Sequence, residues 1–238
     1  MIHYHGTPIS GKRTATAEFL CGRHTLIPFA RQDDLDLAIE YSSSFIVDNS
    51  AYSAHTRGIE IDWEEYYKWV GDLLHIPNFD WAIIPDVIGG SESENDELLS
   101  QYPNELRGVP VWHSNESVYR LERLCESYSR VAIGADPSNT TGSEGWWAKI
   151  KPAMDMITDD IGRVRYGCRL HGLRMLNPSI FTNIPLSSGD SASIARNANN
   201  GSVSPSRLVR LTVLASRIES VNAATTWQKI NQNTLWQS

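Results

Sequence analysis

Cysteine is scarce in this chain. There are three in 238 residues, at Cys21, Cys125 and Cys168, an odd number with no Cys-x-x-Cys pair. That usage argues against a disulfide framework and against a cysteine-built structural zinc site, and it points to a reducing compartment. Long apolar runs are missing too. None approaches the roughly 18 residues needed to span a membrane, and the opening stretch MIHYHGTPISGKR has no apolar signal core. A cytoplasmic location is the expectation. Neither G-x-G-x-x-G nor G-x-x-x-x-G-K-[ST] occurs, so the usual phosphate-cradling loops of dinucleotide and nucleotide folds are absent. There is no low-complexity segment and no internal repeat.

Lysine is absent from residues 161–217, which hold eight arginines (Arg163, Arg165, Arg169, Arg174, Arg196, Arg207, Arg210 and Arg217) and a single acid, Asp190, for a local net charge of +7. The first 160 residues carry −14, and the whole chain −7. Guanidinium forks suit bidentate phosphate contacts. Such asymmetry between segments points to a polyanion partner, although a solvated basic face balancing an acidic half would look the same.

What the sequence does have is a core. Apolar residues make up 41% and charged residues 21%, a globular rather than a disordered composition. Eight short apolar runs read as strands buried on both faces: Ile2–His5, Thr25–Phe29, Phe45–Asp48, Trp81–Pro85, Val109–His113, Val131–Gly134, Cys168–His171 and Pro185–Ser188. Helical stretches fall between them at Asp33–Tyr41, Asp62–His75, Glu92–Tyr102, Glu116–Tyr128 and Ser143–Thr158. Asp62 is placed as an N-cap with Glu65 three residues on. A last helix runs over Ser206–Gln228, and only a turn or two fits in Arg174–Phe181. Asn197–Ser206 reads as a mobile loop. Eight strand–helix alternations predict an α/β fold of parallel βαβ units closed into a single (β/α)8 TIM barrel over residues 1–238, with the basic segment 161–217 inside it and no zinc-binding subdomain. A doubly wound open sheet is the competing architecture.

Five of the strands run into a polar residue at their carboxyl end: Asp48 in FIVDN, Asp86 in IIPDV, His113 in VPVWH, His171 in CRLHG and Asp190 in LSSGD. Barrel enzymes keep their catalytic groups at that end. Any one of these residues is explained as a helix cap or loop anchor; five together are harder to explain that way. Two chemistries compete. His3-x-His5 followed by His113, His171 and Asp190 resembles the ligand order of metal-dependent amidohydrolase barrels, but the bridging lysine on strand four and the histidine on strand six are missing. The other chemistry uses carboxylates alone. Exchange at an N-glycosidic carbon needs one carboxylate to attack or shield an oxocarbenium-like centre and another group to move protons on the base. Asp48 and Asp190 fit the first needs, and Asp86 could accept hydrogen bonds from a guanine-like edge. A catalytically dead barrel serving as a nucleic-acid-binding module is a third class.

The motifs resemble the tRNA-guanine transglycosylase superfamily over roughly Ile2 to Arg217, and within it the small phage and bacterial DNA-guanine transglycosylases that install 7-deazaguanine bases. The family's Asp-Ser-Gly-Gly segment looks like Asp48-Asn49-Ser50-Ala51. Its base-recognising aspartate falls after the next strand, as Asp86 does. A glutamine ending strand five is matched by His113, and a glycine whose amide contacts the base is matched by Gly134. The nucleophilic aspartate is followed six residues on by arginine, the spacing of Asp190 and Arg196. The Cys3His zinc region of the tRNA enzymes is absent, which favours DNA over tRNA. The resemblance implies a pentosyltransferase with Asp190 as nucleophile and Asp48 as general acid/base. Asp86, Gly134, His113, Tyr52 and His171 would hold the base, with Trp112 as a further stacking candidate. Arg174, Arg196, Arg207 and Arg210 would grip phosphates. The partners would be guanine-containing DNA and a free 7-deazaguanine such as preQ0, with no cofactor and no catalytic metal.

Overall fold

A computed structural model of the chain describes residues 1–9, 11–197 and 207–229. Nine strands form one all-parallel sheet. They are β1 (Ile2–Gly6), β2 (His24–Pro28), β3 (Ser44–Asp48), β4 (Phe79–Ile83), β5 (Gly108–Val109), β6 (Val111–His113), β7 (Arg130–Gly134), β8 (Arg169–Gly172) and β9 (Leu186–Ser191). Their order across the sheet is β5-β4-β3-β2-β1-β9-β8-β7-β6. The two outer members, β5 and β6, are one stretch of chain interrupted at Pro110. Proline has no N–H to give to a ladder, so the single expected strand Val109–His113 splits there, β5 pairing with β4 and β6 with β7. The sheet thus curls into a nearly closed TIM barrel, its two outer strands joined through Pro110, and each of the eight expected strands overlaps an observed one, with bounds that differ by at most three residues.

The helices are α1 (Arg13–Leu20), α2 (Leu35–Tyr41), α3 (Ala51–Arg57), α4 (Trp63–Leu73), α5 (Glu92–Gln101), α6 (Val118–Ser127), α7 (Glu144–Ile157), α8 (Pro178–Phe181), α9 (Ser193–Asn197) and α10 (Arg207–Glu219). Four of the longer helices open on a capping side chain, among them the expected Asp62. Asp62 accepts the Glu65 N–H ahead of α4, Ser91 and Glu94 form a reciprocal capping box on α5, and Ser117 and Ser143 cap α6 and α7. Three helices have no counterpart among the expected ones: α1, α3 and α9. Each is eight residues or fewer and opens without a side-chain cap bond or in a polar turn. The last helix ends at Glu219, nine residues before its expected limit. Residues 198–206, most of the expected Asn197–Ser206 loop, lie outside the described residues.

Strand alternation sorts the side chains into two cores. Tyr4, Leu26, Ile46, Trp81, Ile83, Val109, Val111 and Ala132 fill the barrel interior. The outward residues Phe45, Val47, Phe79 and Ala82 meet Tyr66, Val70 and Leu73 of α4, and Trp112, Val131 and Ile133 meet α6 and α7. Trp146 is fully buried in that shell, with Trp147 packed beside it, and Trp63 and Trp69 flank the α4 cluster, all in helix-packing roles. Among the described residues no helix is long and apolar enough to cross a membrane.

Candidate active site

The carboxyl ends of β3, β6, β8 and β9, with the loop after β4, bring Asp48, His113, His171, Asp190 and Asp86 to one mouth of the barrel. Asp86 is 8% exposed, Asp190 5%, His113 3% and His171 0%. Three carboxylates share this nearly dry space, and the consequence is visible at Asp48. Its carboxyl is pushed up to about 7, first by loss of water, then by the negative charges of Asp190 and Asp86; Arg174 and the Ser50 amide pull the other way. Asp48 is thus poised to give and take a proton near neutrality.

Asp86 is held from two sides. Its Oδ1 accepts from Asn49 Nδ2 at 2.6 Å and its Oδ2 lies 2.7 Å from His113 Nε2. Asn49 also donates to the Ile84 carbonyl at 2.8 Å, and its Oδ1 accepts the Ala51 N–H, folding the chain after Asp48 back across the mouth. That turn puts Ser50 in the left-handed region at φ 66°, a conformation that favours glycine. Burial lowers the affinity of the His113 ring for a proton, but the hydrogen bond and charge of Asp86, with Glu116 behind, outweigh it, and the net shift is upward. Trp112 points the other way into the helical shell and donates to the Ser117 carbonyl at 2.9 Å, so of this neighbouring pair only His113 enters the mouth.

Asp190 accepts the Arg174 backbone N–H at Oδ1 (3.2 Å), and its Oδ2 lies 3.1 Å from His171 Nε2. His171 Nδ1 is 2.9 Å from Ser188 Oγ, and the ring packs edge-on against Trp81 with centroids 4.8 Å apart. Both ring nitrogens are spent and the ring is wholly buried, which corrects the expected contact of His171 with a base: it serves Asp190. Arg174 sits at φ 60°, and its guanidinium lies 3.5 Å above the ring of Tyr52, which is 42% exposed. One face of the Tyr52 ring is therefore covered by Arg174. Gly134 makes room. A Cβ there would come 2.9 Å from His113 Nδ1, so the missing side chain serves the His113 ring.

The arginines of the basic segment divide between the two ends of the barrel. Arg174 follows β8 and Arg196 is exposed on α9, both at the mouth. Arg207 packs its stem by Gly11 in the loop after β1, and Arg210 lies one turn further along α10. Arg163, Arg165 and Arg169 precede or open β8 at the far end, where Arg163 pairs with Asp159 at 3.3 Å, and Arg217 lies in the last turn of α10. A single eight-arginine face is therefore not formed, because the chain crosses the barrel between them.

The His3-x-His5 pair does not join the mouth. Tyr4 occupies the inward position of β1, where its ring meets Trp81 and His171. Period-two alternation then turns His3 and His5 outward, His3 against Phe181 and His5 against Phe19, with His5 Nε2 2.8 Å from Glu219. The ligand set expected of an amidohydrolase is split across the sheet. Among the described residues no group of three or more His, Cys, Asp or Glu side chains is placed to share a metal ion.

Several residues that shape the mouth escaped sequence reasoning. Asn49 is one. Glu116 accepts the His113 backbone N–H (2.9 Å), a bond from Asn95 (2.8 Å) and one from Arg120 (2.7 Å), while Asn95 Oδ1 accepts the Val87 N–H beside Asp86 at 2.7 Å. An acid three residues past the strand-end histidine was the available signal, but it reads equally as a helix cap.

No protein-family model matches the chain, and no curated protein does. Solved structures that resemble it include two of mutant tryptophan synthase α-subunits from the hyperthermophile Pyrococcus furiosus. Each has 10% sequence identity and a TM-score of 0.53 over 92% of this chain; the matches cover 97% and 95% of those subunits. At that identity the likeness is one of fold, and it supports the (β/α)8 barrel.

Proposed function

We propose that this chain is a guanine transglycosylase acting on DNA, exchanging guanine for a 7-deazaguanine of the preQ0 type. The observation that carries the reading is the pair Asp48 and Asp190. Burial first, and then the charges of Asp190 and Asp86, hold the Asp48 carboxyl near neutrality, where it can move a proton on the base, and Asp190 stands at the same mouth as a second carboxyl, in the place of the nucleophile. Asp190 attacks C1′ of a deoxyguanosine, forming an ester bond as the C1′–N9 bond breaks, and Asp48 supplies the proton that departing guanine takes up. The incoming base returns its N9 proton to Asp48 and its nitrogen takes C1′ back from Asp190. Asp86, backed by Asn49 and His113, lines the mouth as the acceptor for the amino and ring N–H groups of the purine edge. The left-handed residue Ser50 stands where the transglycosylase Asp-Ser-Gly-Gly segment has its first glycine, which adds to the resemblance. The target base must leave the stack, at a cost of a few kcal/mol in duplex DNA.

The test is incorporation of radiolabelled guanine into DNA by purified protein, with and without EDTA. Label retained in the polymer regardless of EDTA is the expected result, lost in Asp190→Asn. Absence of incorporation, or near-normal exchange by Asp190→Asn, overturns the reading.

A further inference from the structure

A line of hydrogen bonds runs from the mouth through the barrel interior to its far end. Asp190 Oδ2 is 3.1 Å from His171 Nε2, His171 Nδ1 is 2.9 Å from Ser188 Oγ, and Ser188 Oγ accepts from the Arg130 guanidinium at 2.9 Å. Arg130 sits on β7 with its guanidinium 5.3 Å over the ring of Trp81 and a second, longer bond to Ser187 at 3.3 Å. None of these partners besides His171 and Asp190 carries an expected role.

Donor accounting fixes the proton positions along this line. A guanidinium only donates, so Ser188 Oγ is the acceptor from Arg130. The hydroxyl has one hydrogen of its own. Among the described residues its sole other neighbour in hydrogen-bonding distance is His171 Nδ1, and Ser188 is fully buried. The hydroxyl therefore donates to Nδ1, which must be bare. The ring proton is left on Nε2, aimed at Asp190. A second proton on the ring would need Nδ1, would turn the Ser188 hydroxyl away from its only acceptor, and would set an imidazolium beside a guanidinium. The groups facing His171 are Asp190 and Ser188 on β9, Arg130 on β7, and Tyr4 on β1 with Trp81 on β4 against the ring. Burial, foremost, and the charge of Arg130 lower the proton affinity of His171, against the raising effect of Asp190, and the net shift is downward.

We propose that Arg130 and Ser188 are positioning residues that hold His171 as the neutral Nε2–H form, so that Asp190 is oriented by a hydrogen bond without being paired to an imidazolium. A nucleophilic carboxylate in a full ion pair with a buried cation loses attacking power, whereas a neutral donor fixes its direction and leaves its charge for C1′. The catalytic consequence rests on Asp190 being the nucleophile; the tautomer does not.

The experiment is nitrogen NMR of the full chain labelled at histidine ring nitrogens, with the His171 signals identified by their loss in His171→Gln. The expected wild-type result is a neutral ring with Nε2 protonated and Nδ1 bare, unchanged from pH 5 to 8. In Arg130→Met and, independently, in Ser188→Ala, His171 takes up a proton inside that range, a shift of at least about one pH unit. Base exchange by either variant then falls further on the acid side than that of wild type. Ser188→Ala removes a single hydroxyl and keeps the test decisive should Arg130→Met fail to fold. A wild-type ring that carries its proton on Nδ1, or that titrates between pH 5 and 8, overturns the proposal. So does a ring in Ser188→Ala that stays neutral throughout. If wild type shows no base exchange, the transglycosylase reading fails while the NMR result still decides the relay.

Discussion

Asn49 locks Asp86 to the turn that follows Asp48. One side-chain amide donates 2.6 Å to the Asp86 carboxylate and 2.8 Å to the Ile84 carbonyl, while its oxygen accepts the Ala51 N–H. The residue beside one acid thereby fixes another acid 37 positions on. Asn49→Ala strands a buried carbonyl and a carboxylate oxygen, a loss of about 1–3 kcal/mol. Asn49→Asp keeps the acceptor for Ala51 but sets a second carboxylate against Asp86. Asn49→Ala is expected to lower the melting temperature by similar amounts at pH 5 and pH 8, and Asn49→Asp to lower it distinctly more at pH 8. Thermal unfolding at the two pH values checks this; equal losses for Asn49→Asp at both would show that Asp86 is not its neighbour in solution.

Asp48 gives a prediction in the opposite sense to most carboxylates. Its folded-state value, about 7, stands above the unfolded value near 3.9. Between those limits the folded protein keeps a proton that the unfolded chain has released, so stability declines as pH rises from about 4 to about 7 and levels off above. Asp48→Asn removes that decline. The variant should match wild type near pH 4 and exceed it at pH 8 by roughly 2 kcal/mol, allowing for screening at a partly exposed group. Its base exchange should be lost over the same range. Urea unfolding across pH 4 to 8 measures the first, and a variant no more stable than wild type at pH 8 would refute the clustered carboxylates.

His113 adds a second pH dependence of its own. Paired with Asp86 at 2.7 Å, it is shifted upward. A histidine raised in the folded state contributes stability that is complete below the unfolded value of about 6.5 and is lost as pH climbs through the folded one. Wild type should therefore lose stability as pH climbs above that unfolded value, and His113→Gln should remove this contribution while leaving that of Asp48 in place. Unfolding free energies at pH 6 and pH 9 decide it: an unchanged slope in His113→Gln would sever the Asp86–His113 link.

The strands were legible because each is a short apolar run, five of them leading into a polar residue, a pattern set by burial on both faces and exposure at one rim. All five strand-end residues reach the same mouth for that reason. The partners of those residues were not legible. Nothing in Leu-Ser-Ser-Gly-Asp shows that Ser188 will face His171 on the neighbouring strand, since the contact depends on the register of β8 against β9, which slips between Leu170 and His171. Likewise Arg130, read along the chain, is one more surface charge until the barrel turns it inward over Trp81. The His3-x-His5 pattern misled for a related reason. The pair does share a face, but Tyr4 between them takes the interior, and no sequence count reveals which face of β1 looks in. The short helices α1, α3 and α9 were missed because helices of eight residues or fewer draw their stability from packing more than from their own sequence.

The division of the arginines between the two barrel ends makes DNA binding testable residue by residue. If a nucleic acid approaches the mouth, Arg174, Arg196, Arg207 and Arg210 are the side chains within its reach, and Arg163, Arg165 and Arg169 are not. Each phosphate contact releases condensed counterions, so affinity falls with salt at a slope set by the number of contacts. Replacing any of the four mouth arginines with glutamine should weaken binding about equally for unrelated sequences and reduce the salt slope by about one. The same change at Arg163, Arg165 or Arg169 should leave the slope alone. Fluorescence anisotropy with a single-stranded and a double-stranded oligonucleotide from 50 to 300 mM salt reads both quantities. A slope that responds to the far-end arginines and not to the mouth ones would place the polyanion at the wrong end of the barrel for Asp190 to reach a sugar, and the basic segment would then serve some purpose other than presenting DNA to the three acids.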